Sequence, residues 1–438
     1  MSESHSCDVA IIGAGAAGLL AAARLARAGC SVVVLEARER IGGRVWTLSD
    51  PVSLRPIELG AEFIHGAAPL TRELAREAGV AVIDTAGSRW AWRDGHLSPR
   101  ESIFEEVQAL MRGVERLPED ISVAAFLERS ATNRAFDAAR VSARMMVEGF
   151  DGADPARASV RAIAREWNES GLSGGQLRPA GGYGHLLAWL AHALEGTGAR
   201  LALQRVVDRI EWRAGDVQVS GRGVLGAFRV GARRALVTVP LGVLQLPPEA
   251  PGALRFAPAL TAKSTALSGL AMGNVIKVVL QFQHSFWEEL EDGRYHDAGF
   301  LHAPQAGFPT VWTALPYRVP LLTAWVGGPR SERVAEAGDV IATAVNSLQS
   351  LFGSQIDVGR ELVAARTHDW QQDPFARGAY SYVTVGGLQA PAELAAPVED
   401  TLFFAGEALH TEELATVEAA LQSGARAAQL LAASLRAA

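Results

Sequence analysis

Residues Asp8 to Arg44 read DVAIIGAGAAGLLAAARLARAGCSVVVLEARERIGGR, and this stretch decides the fold. The apolar run 9–12 predicts a buried strand, the glycine-rich residues after it predict a tight turn, and the alanine-rich residues that follow predict a helix. A second apolar run, 31–35, predicts the next strand, which is closed by Glu36. This order of elements within about 30 residues is typical of a Rossmann-type βαβ unit that binds a dinucleotide.

Each residue of this pattern has a physical reason. Gly13 permits the turn from strand to helix, Gly15 lets backbone approach a pyrophosphate, and Gly18 lets the helix pack closely on the strand. The positive end of the helix and its free N–H groups then face the phosphates. Glu36 can accept hydrogen bonds from a ribose 2′-OH, which favours an unphosphorylated adenosine ribose.

The residues after Glu36 distinguish a flavin from a nicotinamide cofactor. Gly42 and Gly43 permit another close backbone approach, and Arg44 offers a planar guanidinium suited to a pyrophosphate. With this Gly-Gly-Arg in place, the chain resembles the flavin-containing amine oxidases, the family of monoamine and polyamine oxidases. The resemblance implies an α/β fold with a discontinuous Rossmann-type FAD-binding domain and an inserted α+β substrate domain.

The length and the hydrophobic pattern indicate two domains. At 438 residues the chain exceeds the usual size of a single core. Strand-like runs surround the glycine-rich unit, whereas Ile103, Val107, Leu110 and Met111 recur at helical spacing. We expect an FAD-binding domain of residues 1–85, 181–281 and 396–438, and a substrate-binding domain of residues 86–180, expected to be helical, and 282–395.

Charge and cysteine content exclude several classes of protein. The net charge is −7 without a block of basic residues, which argues against nucleic acid or an anionic membrane as partner. No apolar run reaches the ~20 residues that span a bilayer, and we expect a cytoplasmic monomer or homodimer. Cys7 and Cys30 are the only cysteines, so neither a disulfide framework nor a metal site is expected.

The two lysines carry the next signal. Arginine supplies nearly all of the 41 basic residues, and only Lys263 and Lys277 are lysine. Lys277 lies in the strand-like run 274–282; it could face solvent on an alternating strand, or it could use its compact ammonium in a buried site. The resemblance implies the second role, since in these oxidases a lysine in such a strand holds a water beside flavin N5. Lys263 is expected at the surface.

A third block contains Trp370 and Tyr380. Both match the family's aromatic residues beside the flavin, which would orient the amine and exclude water. Ala379 stands where monoamine oxidases have the cysteine that bonds FAD. The resemblance therefore implies non-covalent FAD.

A fourth block contains Gly406, Glu407, Thr416 and Val417. In the family this block holds the ribityl chain and the flavin ring, and a helix N-terminus near Thr416 would stabilise negative charge on the flavin. Many monoamine oxidases have a second cage tyrosine where this chain has Thr416. A two-sided aromatic cage for a small arylalkylamine is therefore not expected.

His65 closes a segment that in the family runs beside the flavin. Animal polyamine oxidases have the same Ile-His-Gly sequence here, with the histidine near the substrate amine, although a lone histidine is often only structural. Glu62, Glu166 and Glu169 could supply negative charge to a polyamine, but solvated helix faces explain the last two equally well.

Together these residues predict an FAD-dependent amine oxidase that passes a hydride from the substrate to flavin N5 and yields an imine, an aldehyde and, with dioxygen, hydrogen peroxide. A polyamine or other secondary amine is favoured. The catalytic residues expected are Lys277, Tyr380, Trp370 and His65. The cofactor-binding residues expected are Gly13, Gly15, Ala16, Ala17, Gly18, Glu36, Ala37, Arg38, Gly43, Arg44, Gly60, Ala61, Glu62, Val207, Trp370, Gly406, Glu407, Thr416 and Val417.

Three alternatives stay open at this point. An L-amino-acid oxidase shares the scaffold but typically places an arginine just after the Gly-Ala turn, where this chain has Glu62-Phe63-Ile64. A flavin-dependent desaturase shares the N-terminal fingerprint without needing Lys277. A non-enzymatic, flavin-bound interaction module would need a docking insertion, and none is evident.

Overall fold

The computed structural model of the protein describes residues 4–50, 53, 55–85, 87–93, 95–100, 103–169, 176–411 and 414–437. Side chains are described for all of these except residues 4–5, 103–106 and 169. Within this part of the chain, two large sheets dominate the fold, with helices packed around them.

The first sheet contains the predicted Rossmann-type unit. Strand Ser4–Ile12 pairs in parallel with Val32–Leu35 on one side and with Gly226–Val237 on the other, and helix Ala16–Arg27 connects the first two. The strand run 9–12 is buried because its side chains alternate between two hydrophobic cores, with Val9 and Ile11 in one and Ala10 and Ile12 in the other. In the described residues this sheet has eight strands: Arg255–Ala257, Arg205–Arg213, Asp216–Gly223, Gly226–Val237, Ser4–Ile12, Val32–Leu35 and Ala199–Ala202 in spatial order, with Leu402–Phe404 beside Gly226–Val237.

The second sheet is mainly antiparallel and supplies the opposite wall of the large cavity described below. Its strands, as far as the chain is described, are Leu362–Thr367, Val275–Phe282, Leu321–Gly327, Thr310–Thr313, Ala298–His302, Ser88–Arg93 and His96–Pro99 in spatial order. Three smaller pairs complete the strands: Leu270–Gly273 with Tyr380–Val383, Thr47–Leu48 with Ile57–Glu58, and Val82–Asp84 with Leu177–Pro179.

The helices lie around these sheets. The C-terminal helix packs directly on the first helix, because a Cβ atom on Gly424 would lie only 2.3 Å from the carbonyl oxygen of Ala17. The α-helices are Ala16–Arg27, Pro69–Glu77, Ile103–Met111, Val123–Arg129, Asp137–Gly149, Val160–Glu169, Tyr183–His192, Leu241–Leu244, Ser264–Ser268, Leu290–Gly293, Pro329–Glu336, Val340–Phe352, Val358–Glu361, Ala390–Ala395 and Val417–Ala437. Short 3₁₀ helices span Val114–Arg116, Ser130–Thr132, Arg134–Phe136, Thr261–Lys263, Phe286–Glu288, Gly353–Gln355 and Glu407–Leu409.

Two details differ from the expectations. The hairpin Ser88–Arg93 and His96–Pro99 lies in the stretch expected to be helical. Its sequence alternates as Arg-Trp-Ala-Trp-Arg and then has Asp-Gly, a strand and hairpin-turn pattern that the helical interpretation of the region overlooked. Strand Val275–Phe282, most of which falls before the expected boundary at 281, belongs to the second sheet.

The expectation that Lys263 lies at the surface is wrong. Only 4% of this residue is exposed, and its Nζ atom donates hydrogen bonds to the carbonyl oxygens of Glu393 and Ala396 at 2.6 and 2.5 Å. The polar neighbours in sequence suggested exposure, but the carbonyl groups that satisfy the ammonium come from a helix about 130 residues away.

None of the helices in the described ranges is long and apolar enough to cross a membrane.

Candidate active site

A single cavity of about 390 Å³ collects almost every predicted site residue. Its lining includes Ile12 and Val207 from the first sheet and Lys277 and Trp312 from the second. All predicted catalytic residues line it, as do the predicted cofactor residues Gly13, Gly15, Ala16, Ala17, Glu36, Ala37, Arg38, Gly43, Arg44, Gly60, Ala61, Glu62, Val207, Trp370, Gly406, Glu407, Thr416 and Val417.

Gly18 is the one predicted residue that does not line the cavity. A Cβ atom at this position would lie 2.1 Å from the carbonyl oxygen of Gly13, so no other residue fits. Its place in the fold is the close helix–strand contact that the glycine pattern predicts.

Glu36 lies at the end of the cavity formed by the first sheet. Its carboxylate is buried, with Oε2 accepting the N–H of Ala14 at 2.8 Å and Oε1 accepting the N–H of Arg38 at 2.9 Å. These two bonds fix the orientation of the carboxylate, and each oxygen has capacity for a second hydrogen bond. A ribose hydroxyl fits this acceptor set.

Glycines create a cleft next to Glu36. Gly15 forms a β-bridge with Gly42, and a Cβ atom on Gly43 would lie 3.6 Å from the Cα atom of Gly15. Side chains at these positions would fill the cleft, where helix Ala16–Arg27 begins. The first N–H groups of a helix have no intrahelical acceptor, so the cleft fits an anionic pyrophosphate.

An ion pair between Arg44 and Glu407 connects the segment after the first βαβ unit to the residues on either side of Tyr380. The Nη1 atom of Arg44 lies 2.8 Å from Glu407 Oε1 and donates to the carbonyl oxygen of Ala379, also at 2.8 Å. Glu407 Oε2 accepts hydrogen bonds from the backbone N–H and the hydroxyl of Ser381. The ion pair therefore fixes both residues that flank Tyr380.

Lys277 is buried rather than solvent-facing, with 4% of the residue exposed. Its Nζ atom donates to Glu62 Oε2 at 2.6 Å and to the carbonyl oxygen of Gly60 at 3.2 Å. It also lies 5.7 Å from the ring centroid of Trp312. An ammonium carries three hydrogens, so these two contacts leave one for a further acceptor in the cavity.

Glu62 is compensated by two cations and so does not present a free charge. Besides Lys277, the guanidinium of Arg178 lies 2.9 Å from Oε1, and the indole of Trp312 donates to the same oxygen at 3.2 Å. Burial alone would raise the pKa of Glu62, but Lys277 and Arg178 outweigh this effect and lower it. The carboxylate is thus ionised and holds Lys277 in place.

Trp370 and Tyr380 form part of the cavity wall. The Trp370 indole donates to the carbonyl oxygen of Leu59 at 3.0 Å, and the Tyr380 hydroxyl donates to that of Phe150 at 2.8 Å. Burial and the negative charges of neighbouring acids raise the pKa of Tyr380 well above its usual value, so the phenol stays neutral.

His65 lines the cavity among aromatic rings. Its ring centroid lies 5.2 Å from that of Phe150 and 6.0 Å from that of Phe63. Burial lowers the pKa of His65 to about 4. The imidazole is therefore neutral at physiological pH and can donate or accept a hydrogen bond without carrying charge.

Two acidic residues occupy the wall near Tyr380. Asp151 was not predicted; its Oδ1 atom accepts from the Trp167 indole at 3.3 Å, and no hydrogen-bond partner for its buried Oδ2 atom occurs in the described residues. Burial and the charge of Glu166, which lines the same cavity, raise the pKa of Asp151 well above its usual value. The side chain of Glu169 lies outside the described part of the chain.

Other lining residues were missed because the sequence gives little signal for them. Phe300, Trp312 and Trp325 look like ordinary core aromatics on strands, and Arg89 and His302 look like isolated polar residues. Only the strand alternation around Arg89 could have placed it on one face of a sheet.

The comparisons with known proteins agree on one family. The profile of the family described as flavin containing amine oxidoreductase matches residues 16–432. The chain is 28% identical to lysine-specific histone demethylase 1B of Mus musculus over 98% of its own length and 53% of that protein. It is 27% identical to probable polyamine oxidase 4 of Arabidopsis thaliana over 96% of its length and 86% of that protein.

The chain spans about half the length of the histone demethylases it matches. Among solved structures, wild-type putrescine oxidase bound to putrescine superposes with a TM-score of 0.82, with 21% identity and full coverage of both chains. At this level of identity the likeness establishes the fold.

Proposed function

Because the chain belongs to the family of flavin-containing amine oxidoreductases, we propose that it is an FAD-dependent amine oxidase. It would oxidise the C–N bond of a long or secondary amine, polyamines included, to an imine that hydrolyses to an aldehyde, with dioxygen reduced to hydrogen peroxide. The observation that carries the proposal is the position of buried Lys277, which lines the same cavity as Glu36 and the glycine cleft.

The residues of the cavity fit FAD. Glu36 would hold the adenosine ribose, the cleft at Gly15 and Gly43 would hold the pyrophosphate, and Thr416 and Val417 at the start of the last helix would lie near the flavin. FAD, when bound, would supply the acceptor for a hydride from the carbon next to the nitrogen. Cys7 and Cys30, the only cysteines, do not line the cavity, which supports non-covalent attachment.

The chain's own residues would position the amine and a water. Lys277, fixed by Glu62, has a third hydrogen that would hold a water, and this water would assist flavin reactivity or imine hydrolysis. Trp370, Tyr380 and the other aromatic residues of the wall would exclude bulk water from the reacting carbon. His65, uncharged at physiological pH, would accept a hydrogen bond from the substrate.

Several observations support a long or secondary amine. Thr416 stands where many monoamine oxidases have a second cage tyrosine, so an aromatic cage for a compact arylalkylamine would be incomplete. Asp151 and Glu166 line the cavity beside Tyr380 and would offer acidic groups to a polar part of a long amine. Similar proteins are named as a polyamine oxidase and a putrescine oxidase, whose named substrates are amines with more than one nitrogen.

The division into domains accompanies this proposal. We propose that the expected FAD-binding ranges 1–85, 181–281 and 396–438 bind the cofactor, with the boundary near 281 moved so that strand Val275–Phe282 belongs to the substrate side.

Peroxide release tests the proposed function. The purified yellow protein would be mixed with spermidine, spermine, benzylamine, phenethylamine and a set of amino acids, and peroxide would be measured by a coupled assay. We expect a long or secondary amine to give faster release than benzylamine or phenethylamine. If amino acids alone produce peroxide, the alternative of an amino-acid oxidase replaces this proposal.

A further inference from the structure

One face of the second sheet forms a continuous wall of the cavity. In the strand register, Lys277 lies opposite Trp325. Phe300 lies opposite Trp312 on one neighbouring strand and opposite Arg89 on the other. Residues paired across neighbouring strands point to the same face, and all five of these residues line the cavity. Three strands lie between the strand of Lys277 and that of Arg89.

Arg89, at the far end of this wall, is a cation without an anionic partner among the residues that the structure describes. Its Cζ atom lies 4.9 Å from the ring centroid of Phe300, and in the described part of the chain its guanidinium has no hydrogen bond or ion pair. The two other arginines of the cavity expected to bind the cofactor differ, since Arg38 pairs with Asp373 at 2.6 Å and Arg44 with Glu407 at 2.8 Å. A partly buried charge is costly without a counter-charge.

His302 offers an unused hydrogen-bonding group beside Arg89. The residue is 6% exposed, and its Nε2 atom is buried without a partner among the described residues. Its Nδ1 atom lies 3.4 Å from the Thr310 hydroxyl, and its ring stacks on Phe300 with a centroid distance of 6.3 Å.

The protonation of His302 determines what it can bind. Burial, together with the charges of Arg89 and Arg100, lowers the pKa of His302 to about 3, so the imidazole is neutral. A neutral imidazole has one N–H. When the Thr310 hydroxyl donates to Nδ1, the N–H lies on Nε2 and has no acceptor in the described ranges of the chain. A guanidinium and an imidazole N–H together form the donor set of a carboxylate site.

We propose that Arg89 and His302 bind a carboxylate at the end of the amine substrate remote from the reacting carbon. This inference rests on the proposed function and selects, among long amines, those with one acidic end. A second ammonium at this end would face Arg89 and be repelled.

The strands between the two cations define the substrate further, because the strands of Lys277 and Arg89 are separated by three others and neighbouring strands lie about 4.8 Å apart. Lys277 Nζ lies 5.7 Å from the Trp312 centroid, Arg89 Cζ lies 4.9 Å from the Phe300 centroid, and the two rings are 6.2 Å apart. An α-amino acid carries its carboxylate on the reacting carbon and cannot bridge two rings. The substrate class is therefore an amino acid in which a long apolar spacer separates the amine from the carboxylate.

Three amines of equal chain length test the proposal on the holoenzyme: aminooctanoate, octylamine and diaminooctane, each with the amine at the chain end. We expect kcat/KM for aminooctanoate to exceed that for the other two at least tenfold. R89M should abolish this preference by raising KM for aminooctanoate while octylamine is unaffected, and R89K, which keeps the charge, should retain it. R93M is the matched control, since Arg93 is exposed on the same strand and does not line the cavity.

A binding measurement separates this proposal from the proposed function. Octanoate, which has no amine to oxidise, should raise the Tm of the wild type and of R93M but not that of R89M. Equal kcat/KM for the three amines, or an equal Tm rise in R89M, would overturn the carboxylate site. If no amine is oxidised while octanoate still binds through Arg89, the proposed function fails and the anion site stands.

Discussion

The Nζ atom of Lys277 lies 2.6 Å from Oε2 of Glu62, inside the cavity wall. Because Arg178 and Trp312 bind the other oxygen of the same carboxylate, the glutamate cannot rotate away. The pair therefore fixes one ammonium at a single point of the cavity, and the first prediction follows from that position.

K277M should leave FAD bound and slow flavin reduction or reoxidation at least tenfold, which corresponds to roughly 1.4 kcal/mol of barrier. The reason is the loss of the ammonium that would hold a water, and stopped-flow absorbance measures both half-reactions. K263M is the matched control, because the only other lysine is buried against carbonyl groups outside the cavity. It should lower Tm and leave both rates unchanged; equal rates for K277M and wild type would remove Lys277 from the chemistry.

The flavin should be released completely when the protein is denatured with acid or heat. Ala379 stands where a linking cysteine would be needed, and neither Cys7 nor Cys30 lines the cavity. Absorbance of the supernatant and of the washed precipitate measures the release. Yellow colour that stays with the precipitate would show a covalent bond.

H65A should raise KM more than it lowers kcat, because His65 lies in the wall and would bind the substrate without reacting. In both proteins kcat/KM should rise with pH as the substrate amine loses its proton. This rise should persist in H65A, since the pKa of about 4 places the titration of His65 well below it. H192A, at an exposed histidine, is the control; a pH rise that disappears only in H65A would mean that His65 itself titrates.

Because of the buried carboxyl group of Glu58, the free energy of unfolding should fall as the pH rises from about 4.5 to about 7. Burial raises its pKa from 4.5 to about 7, against the opposing charge of Lys277. In this window the folded protein keeps a proton that the unfolded chain has lost, so the free energy of unfolding falls with rising pH, by about 3 kcal/mol at most.

E58Q removes this titration and should flatten the pH dependence of urea unfolding, because the amide oxygen can still accept the bonds from Thr47 and Tyr183. The exposed Glu39 provides the control variant E39Q, which should follow the wild type. If the free energy of unfolding depends on pH in the same way for E58Q and wild type, the pKa of Glu58 is not raised in the folded protein.

The parts of the fold that could be predicted are those with strong local requirements. The glycine turn at Gly13 and Gly18 follows from steric contact, and the apolar runs around it become buried strands. The identity of Lys277 as a buried cavity residue was also predictable, because a rare residue type stands in an apolar strand. The family and the α/β fold class were confirmed by the comparisons.

What could not be predicted depends on contacts between distant parts of the chain. Lys263 was placed at the surface because its carbonyl acceptors lie far away in sequence. Arg89 was missed because its strand was taken for part of a helical region, and its neighbour Phe300 comes from residues more than 200 positions later. Similarly, nothing near Asp151 in the sequence indicates the proximity of Glu166, which lies on helix Val160–Glu169 next to Trp167, whose indole donates to Asp151.

The most direct test of the central claim is anaerobic titration of the yellow holoenzyme with a long amine while the flavin absorbance near 450 nm is followed, roughly a single-turnover experiment for a hydride acceptor. If the protein is an FAD-dependent amine oxidase, spermidine or aminooctanoate should bleach the flavin absorbance completely and faster than benzylamine does. The colour should return when oxygen is admitted. An absorbance that stays unchanged with every amine, in protein that contains FAD, would contradict the proposed function.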